Sequence, residues 1–263
     1  MNRMDYIIAP LPFAVCMLAG MLICLEIGRR MGKSSLAEDP QGSTSGIGVV
    51  QGAVFSLFGL LVAFTFSGAP TRLDVRRRLI QDEANAIGTA YLRLDLLPPG
   101  SQLAMRERFR NYLDSRVSAY RKLPDVQAAK AELARSAKLQ SDLWTQVIAA
   151  TRLPDCDSDA PRLLLPSLNQ MFEISSARTM AMTIHPPPII FALLFVLALV
   201  CSLLAGYGMA GSKKHSWLHI TAFAVTVVIS IYVVLQIEYP RMGLLSVESA
   251  YDQVLVDVRE SAK

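Results

Sequence analysis

The chain has 263 residues, 52% of them apolar, and its net charge of +4 lies entirely within residues 71–185, the remainder balancing. So small an excess argues against a nucleic-acid surface, and a solvated helical face or an attraction to anionic lipid or solute explains it equally well. None of the four cysteines has metal or disulfide spacing: Cys16, Cys24 and Cys201 fall in apolar runs, and Cys156 stands alone in a polar loop.

Ile7–Ile27 is the first of four apolar stretches long enough to cross ~30 Å of hydrocarbon as a helix. It has no small-residue cleavage site and ends in Glu26-Ile27-Gly28-Arg29-Arg30, which marks a retained span rather than a removed signal. The polar turn Gly28–Ser45 predicts an antiparallel hairpin with the second stretch, Gly46–Gly68. Pro188–Gly211 and Trp217–Ile237 form a second hairpin about the turn Ser212–Ser216. Beyond Glu26, these stretches hold no Asp, Glu, Lys or Arg. Four such helices exceed what a soluble domain can hide, so the chain reads as an integral membrane protein.

Between the hairpins lies a predicted four-helix aqueous domain. Leu73, Ile80, Ile87 and Leu94 recur every seven residues, with Ala84 and Tyr91 beside them, and Asp74/Arg78 and Arg78/Asp82 stand four apart. Only Ala69 and Pro70 separate this helix from the second span, so the span is able to run on with a kink, roughly 40 Å beyond the bilayer. Pro98-Pro99-Gly100 ends it, and Ser101 is the expected cap of a second helix carrying Leu103, Phe109, Leu113 and Tyr120. After Pro124, Asp125 caps a third helix bearing Val126, Leu133, Leu143, Trp144, Val147 and Thr151. A fourth starts near Pro161 or Pro166, carries Leu164, Leu168, Met171, Ser175 and Met182, and ends at Pro186-Pro187-Pro188. No useful β-alternation is present. The expected class is all-α: a four-span membrane protein with a helical-bundle insertion, divided as 1–68, 69–185 and 186–263.

Orientation follows from basic residues near the span ends. Arg3, Arg72, Arg76, Arg77, Arg78, Arg178 and Arg241 stand on the face of the termini and insertion, against Arg29, Arg30, Lys33, Lys213 and Lys214 on the other. That margin favours a cytoplasmic insertion, although the short loops alone point the other way.

Gly48, Gly52, Ser56, Gly59, Ala63 and Ser67 place small residues along one face of the second span, the pattern of close helix–helix approach. The stripe fits packing within one four-helix unit or a contact repeated around a symmetric oligomer. The neighbouring row Phe55, Val62 and Phe66 is either packing or lipid contact, or a constriction that gates by dewetting. Glu238-Tyr239-Pro240-Arg241 joins a charge pair, an interfacial aromatic and a helix stop where the last span meets the insertion, as a coupling element or an anchor. Gln51 and Gln236 lie inside spans, Glu26 at the opposite membrane face from Glu238, and His185 has no evident partner. His215 and His219 have metal-compatible spacing but no third ligand beside them, and with Trp217 between them an interfacial anchor fits better. With no phosphate loop, nucleophile elbow or His/carboxylate motif, neither enzyme activity nor a cofactor or metal is expected.

Gly68-Ala69-Pro70-Thr71-Arg72-Leu73-Asp74, leading to Glu83-Ala84-Asn85-Ala86-Ile87-Gly88-Thr89-Ala90-Tyr91-Leu92-Arg93, resembles bacterial bestrophin-like domain membrane proteins. Ser216-Trp217-Leu218-His219, Glu238-Tyr239-Pro240-Arg241-Met242-Gly243-Leu244 and Asp252-Gln253-Val254-Leu255-Val256-Asp257 fit the same family. The resemblance implies the two-plus-two span layout. Through bestrophins it implies an oligomeric ion channel whose second span lines the pore, with Phe55, Phe58 and Phe66 loosely matching the pore aromatics. The dense acidic run that binds calcium in bestrophins has no counterpart, because Glu248, Asp252, Asp257 and Glu260 are dispersed. Expected partners are the lipid bilayer, further copies of the chain and permeant ions; the alternative is a non-conducting scaffold or stress-response protein whose helical domain binds a partner.

Overall fold

The protein is described by a computed structural model covering residues 10–38, 47–122, 125–211, 217–239, 255–257 and 260. Every regular element among them is helical: α1 (Pro10–Glu38), α2 (Ile47–Leu92), a 3-10 turn (Arg93–Leu96), α3 (Pro99–Arg121), α4 (Val126–Ala150), α5 (Ala160–Ala181), α6 (Pro188–Gly208) and α7 (Trp217–Glu238). The chain is an all-α membrane protein, with four helices long and apolar enough to cross a bilayer. Several expected features lie outside the described residues: the span start at Ile7, Gly46, the turn Ser212–Ser216 with His215, Pro124, and residues Arg3, Pro240, Arg241, Glu248 and Asp252.

Two compact units divide the chain, one built from α1, the first part of α2, α6 and α7, the other from residues 72–184 with a C-terminal segment. In the first, α1 packs on α6 and α7. Met17, Met21 and Leu25 of α1 meet Leu194, Ala198 and Cys201 of α6 and Ile231 and Val234 of α7 in its core. Hydroxyls in the spans are satisfied locally: Thr65 donates to Leu61 O at 2.7 Å, and Ser202 and Ser230 donate to Ala198 O and Thr226 O at 2.8 Å.

The expected first span is too short at its C-terminal end. Gly28 and the charged residues after it read as a turn, yet α1 continues to Glu38. The glycines are helix-contact positions, and Arg30 Nε closes a 2.9 Å ion pair on Glu26, one turn away. Pro70 lies inside α2 without ending it, as anticipated for a proline that follows a span directly.

The second unit buries the seven-residue seam. Leu73, Ile80, Ile87 and Leu94 are all buried, as is Ala84, and of these Ala84, Ile87 and Leu94 share one core with Phe109, Leu113, Leu143, Val147, Leu164 and Met171. Each such side chain contributes roughly 1.5–3 kcal/mol when removed from water. Edge-on aromatic contacts link the helices: Tyr91 to Phe109 at 5.6 Å, Tyr112 to Phe172 at 6.4 Å and Trp144 to Phe172 at 6.5 Å. Leu255 and Val256 join this core from the C-terminal segment.

Cap chemistry divides along proline usage. Asp125 caps α4 by accepting from Ala128 N–H at 3.1 Å. Ser101 does not cap α3, because Pro99 occupies the first turn and starts the helix two residues earlier. Likewise Pro161 lies in the first turn of α5, and Pro166 falls within the helix. Leu103, expected on the apolar side of α3, is exposed, and Asp74 lies 3.8 Å from Arg77, one position short of the expected Arg78.

Candidate functional site

The small-residue stripe of α2 is open. Gly48, Gly52, Ser56, Gly59, Ala63 and Ser67 are all exposed within the protomer. Among the described residues, a Cβ added at Gly48, Gly52 or Gly59 would meet nothing within 4 Å. Helical periodicity explains the arrangement: Val54, Phe58, Leu61 and Ala69 fall on the side that packs into the membrane unit, and the stripe turns away from it. A third side carries Val49, Val50, Leu57, Leu60 and Phe64, which are large, apolar and exposed. The row Phe55, Val62 and Phe66 straddles a boundary. Phe55 meets Phe223 of α7 edge-on at 5.9 Å and Val62 is half-buried against the core, while Phe66 stays 46% exposed beside the stripe.

Close backbone approach within the protomer occurs elsewhere. A Cβ on Gly28 would lie 1.9 Å from Leu203 O, and one on Gly206 would lie 2.0 Å from Leu25 O. Gly32 is similarly filled, 2.6 Å from Ala210 Cβ. The signal was available in sequence: Gly20, Cys24, Gly28 and Gly32 are small residues four apart. Reading Gly28 as the start of a turn concealed it.

Where the chain entering α6 meets the C-terminal end of α7, the fully buried Glu238 places Oε1 3.2 Å from Nδ1 of His185, and Tyr239 stacks on the imidazole at 4.6 Å. His185 thus has a partner that sequence spacing did not reveal. Pro240 and Arg241, the other half of the expected coupling motif, lie outside the described residues. Gln51 reaches from α2 to Leu204 O of α6 at 2.8 Å, and Gln236 donates to Tyr232 Oη at 2.6 Å. Among the described residues no group of three His, Cys, Asp or Glu is placed to hold a metal.

Sequence reasoning also missed a buried ionic network in the second unit. Glu83 of α2 is fully buried and lies between two arginines, Arg116 of α3 at 2.6 Å and Arg178 of α5 at 2.7 Å. The ring of Tyr120 lies beneath both guanidinium groups, 3.6 Å from Arg178 and 5.1 Å from Arg116. Burial and then the Glu83 charge push the Tyr120 hydroxyl up to about 12, so it stays a neutral phenol at physiological pH. Burial disfavours the Arg116 charge, but Glu83 more than offsets this and holds its pKa above the ordinary value. One signal was legible: Glu83 lies three residues after Ile80 and four before Ile87, a carboxylate on the apolar seam.

A family model described as a bestrophin-like domain matches residues 15–251. Among solved structures, the chain is similar to a crystal structure of a bacterial bestrophin homologue from Klebsiella pneumoniae carrying a tyrosine-to-alanine mutation. That similarity has 15% identity and a TM-score of 0.54, and it covers 92% of this chain and 98% of that one. At that identity the likeness speaks for the fold. No curated protein matches the chain. The family match spans the apolar helices and the helical insertion together, and the protein is a member of the bestrophin-like domain family of membrane proteins.

Proposed function

We propose that the protein is a non-enzymatic, oligomeric channel of a bacterial inner membrane, with α2 at the shared axis and residues 69–185 forming a cytoplasmic vestibule between hairpins 1–68 and 186–263. The open face of α2 carries this reading. Its span is 6% buried within the protomer, against 22% to 33% for the other three. A glycine-rich surface offers lipid few contacts but lets a helix or a narrow axis come close. Copies arranged around that face would present Gly48, Gly52, Ser56, Gly59, Ala63 and Ser67 to one another, with Phe66 the row member free to narrow the axis and Phe55 and Val62 bracing it from behind. Membership of a bestrophin-like family supports the same layout.

A sealed scaffold is the second reading. It is favoured by the scarcity of polar groups on that face, where Ser56 and Ser67 are the polar members of the stripe and Gln51 is engaged by Leu204 O. Flux into liposomes, tested with both anions and cations, separates the two. The channel reading expects Phe66→Ala to raise flux and Gly59→Leu to lower it, in an oligomer sized alongside. A folded monomer with no flux in any variant would overturn it.

Orientation is tested separately. Ser141 is exposed on α4, so Ser141→Cys in a Cys156→Ser background should resist a membrane-impermeant thiol reagent in intact cells and react after lysis. Labelling before lysis would reverse both faces.

A further inference from the structure

A cleft of about 380 Å³ opens between α3, α4 and α5 in the second unit, with Arg116 among its lining residues. Its size suits a small organic ligand. Arg116 is 2% exposed, and most of its guanidinium is engaged. Nε donates to Glu83 Oε1 at 2.7 Å, and Nη2 donates to Tyr120 Oη and to Ser175 O. Nη1 differs: its one contact among the described residues is Thr179 Oγ1 at 3.4 Å. A charge-assisted bond is normally ~2.7–2.9 Å, so this donor edge is weakly engaged. Thr179 also lines the cleft, and its hydroxyl hydrogen goes to Ser175 O at 2.9 Å, leaving its lone pairs toward Nη1. The rest of the wall is mixed, with Gln140 and Ser176 supplying polar groups and Leu133 and Met180 apolar surface.

We propose that this cleft binds a small aliphatic monocarboxylate, its carboxylate on Arg116 Nη1 and its hydrocarbon body on Leu133 and Met180. One carboxylate oxygen can accept from Nη1, and a buried site strengthens that charge-assisted bond. One cation and a partly apolar wall suit a singly charged organic acid better than phosphate, which needs more donors. The site belongs to the aqueous unit and stands whether or not the chain conducts.

The full chain in nanodiscs, at fixed pH and ionic strength, is titrated with 4-methylpentanoate, its uncharged isostere 4-methylpentanamide, and inorganic phosphate, reading the thermal midpoint. The carboxylate should raise the midpoint saturably while the amide does not. Ala137→Trp fills the mouth of the cleft from an exposed position, and Met180→Glu sets a negative charge there. Each should weaken carboxylate binding at least ~10-fold while leaving the ligand-free midpoint in place. If Ala137→Trp fails to fold, Met180→Glu decides alone. Equal shifts with the amide, undiminished binding in the cleft variants, tighter binding of phosphate, or no saturable response to roughly 10 mM carboxylate would each overturn the assignment.

Discussion

Replacing Glu83 by alanine is expected to cost about 3–5 kcal/mol, the penalty for stranding buried charge. The carboxylate is fully buried and uses one oxygen for Arg116 and the other for Arg178. Without it, two guanidinium groups lie close together over one tyrosine ring, with their shared counter-charge gone. Glu83→Gln should be nearly as damaging, since the amide turns a donor toward one arginine whichever way it is oriented. Glu173, exposed on α5 and paired among the described residues with Asn169 one turn away, is the control, with an expected change within ~0.5 kcal/mol for Glu173→Ala. Denaturant unfolding of the purified protein reads both. Matching midpoints for the two variants would show that the buried network is not what holds these three helices together.

Gly206→Leu should be at least as severe, with a loss of about 3 kcal/mol or more and a collapse in the yield of monodisperse protein. The atom that a Cβ would strike is a backbone carbonyl, Leu25 O, which cannot swing aside as a side chain does. Gly28 faces the same obstacle from Leu203 O, so the two glycines define one contact between α1 and α6. Gly48→Leu makes the informative comparison, because none of the described residues lies within 4 Å of its added Cβ. It should fold as wild type, and any effect should surface in the size of the assembly. Should Gly206→Leu purify and melt like Gly48→Leu, the packing of α1 on α6 would be refuted.

Features that depend on local periodicity were legible in the sequence. The spans, the seam of Leu73, Ile80, Ile87 and Leu94, and the Asp125 cap each follow from spacing along a single helix. Features that depend on which helices meet were not. His185 and Glu238 are 53 residues apart, and Arg178 is 95 from Glu83, so no window on the chain holds both partners. The α2 stripe shows the limit from the other side. Its small residues were visible at once, but a stripe that packs inside a protomer and one that faces outward have the same spacing. Burial was needed to tell them apart. On α1, charged neighbours turned the reading of Gly28 and Gly32 from contact positions into a turn, and the more intimate contact went unseen.

The hydrogen bonds of the span side chains bear on the order of biosynthesis. Thr65, Ser202 and Ser230 each satisfy their hydroxyl on the preceding turn of their own helix, so these helices carry those groups into the bilayer without waiting for a neighbour. Gln51 has no such independence. Its amide is held by Leu204 O, a carbonyl synthesised 153 residues later. Until α6 has emerged from the ribosome, entered the same membrane and docked, the Gln51 amide lacks that acceptor, and burying it without a substitute would be costly. The packing of α2 is therefore completed by the arrival of α6, and the stretch of α3, α4 and α5 between them sets the delay.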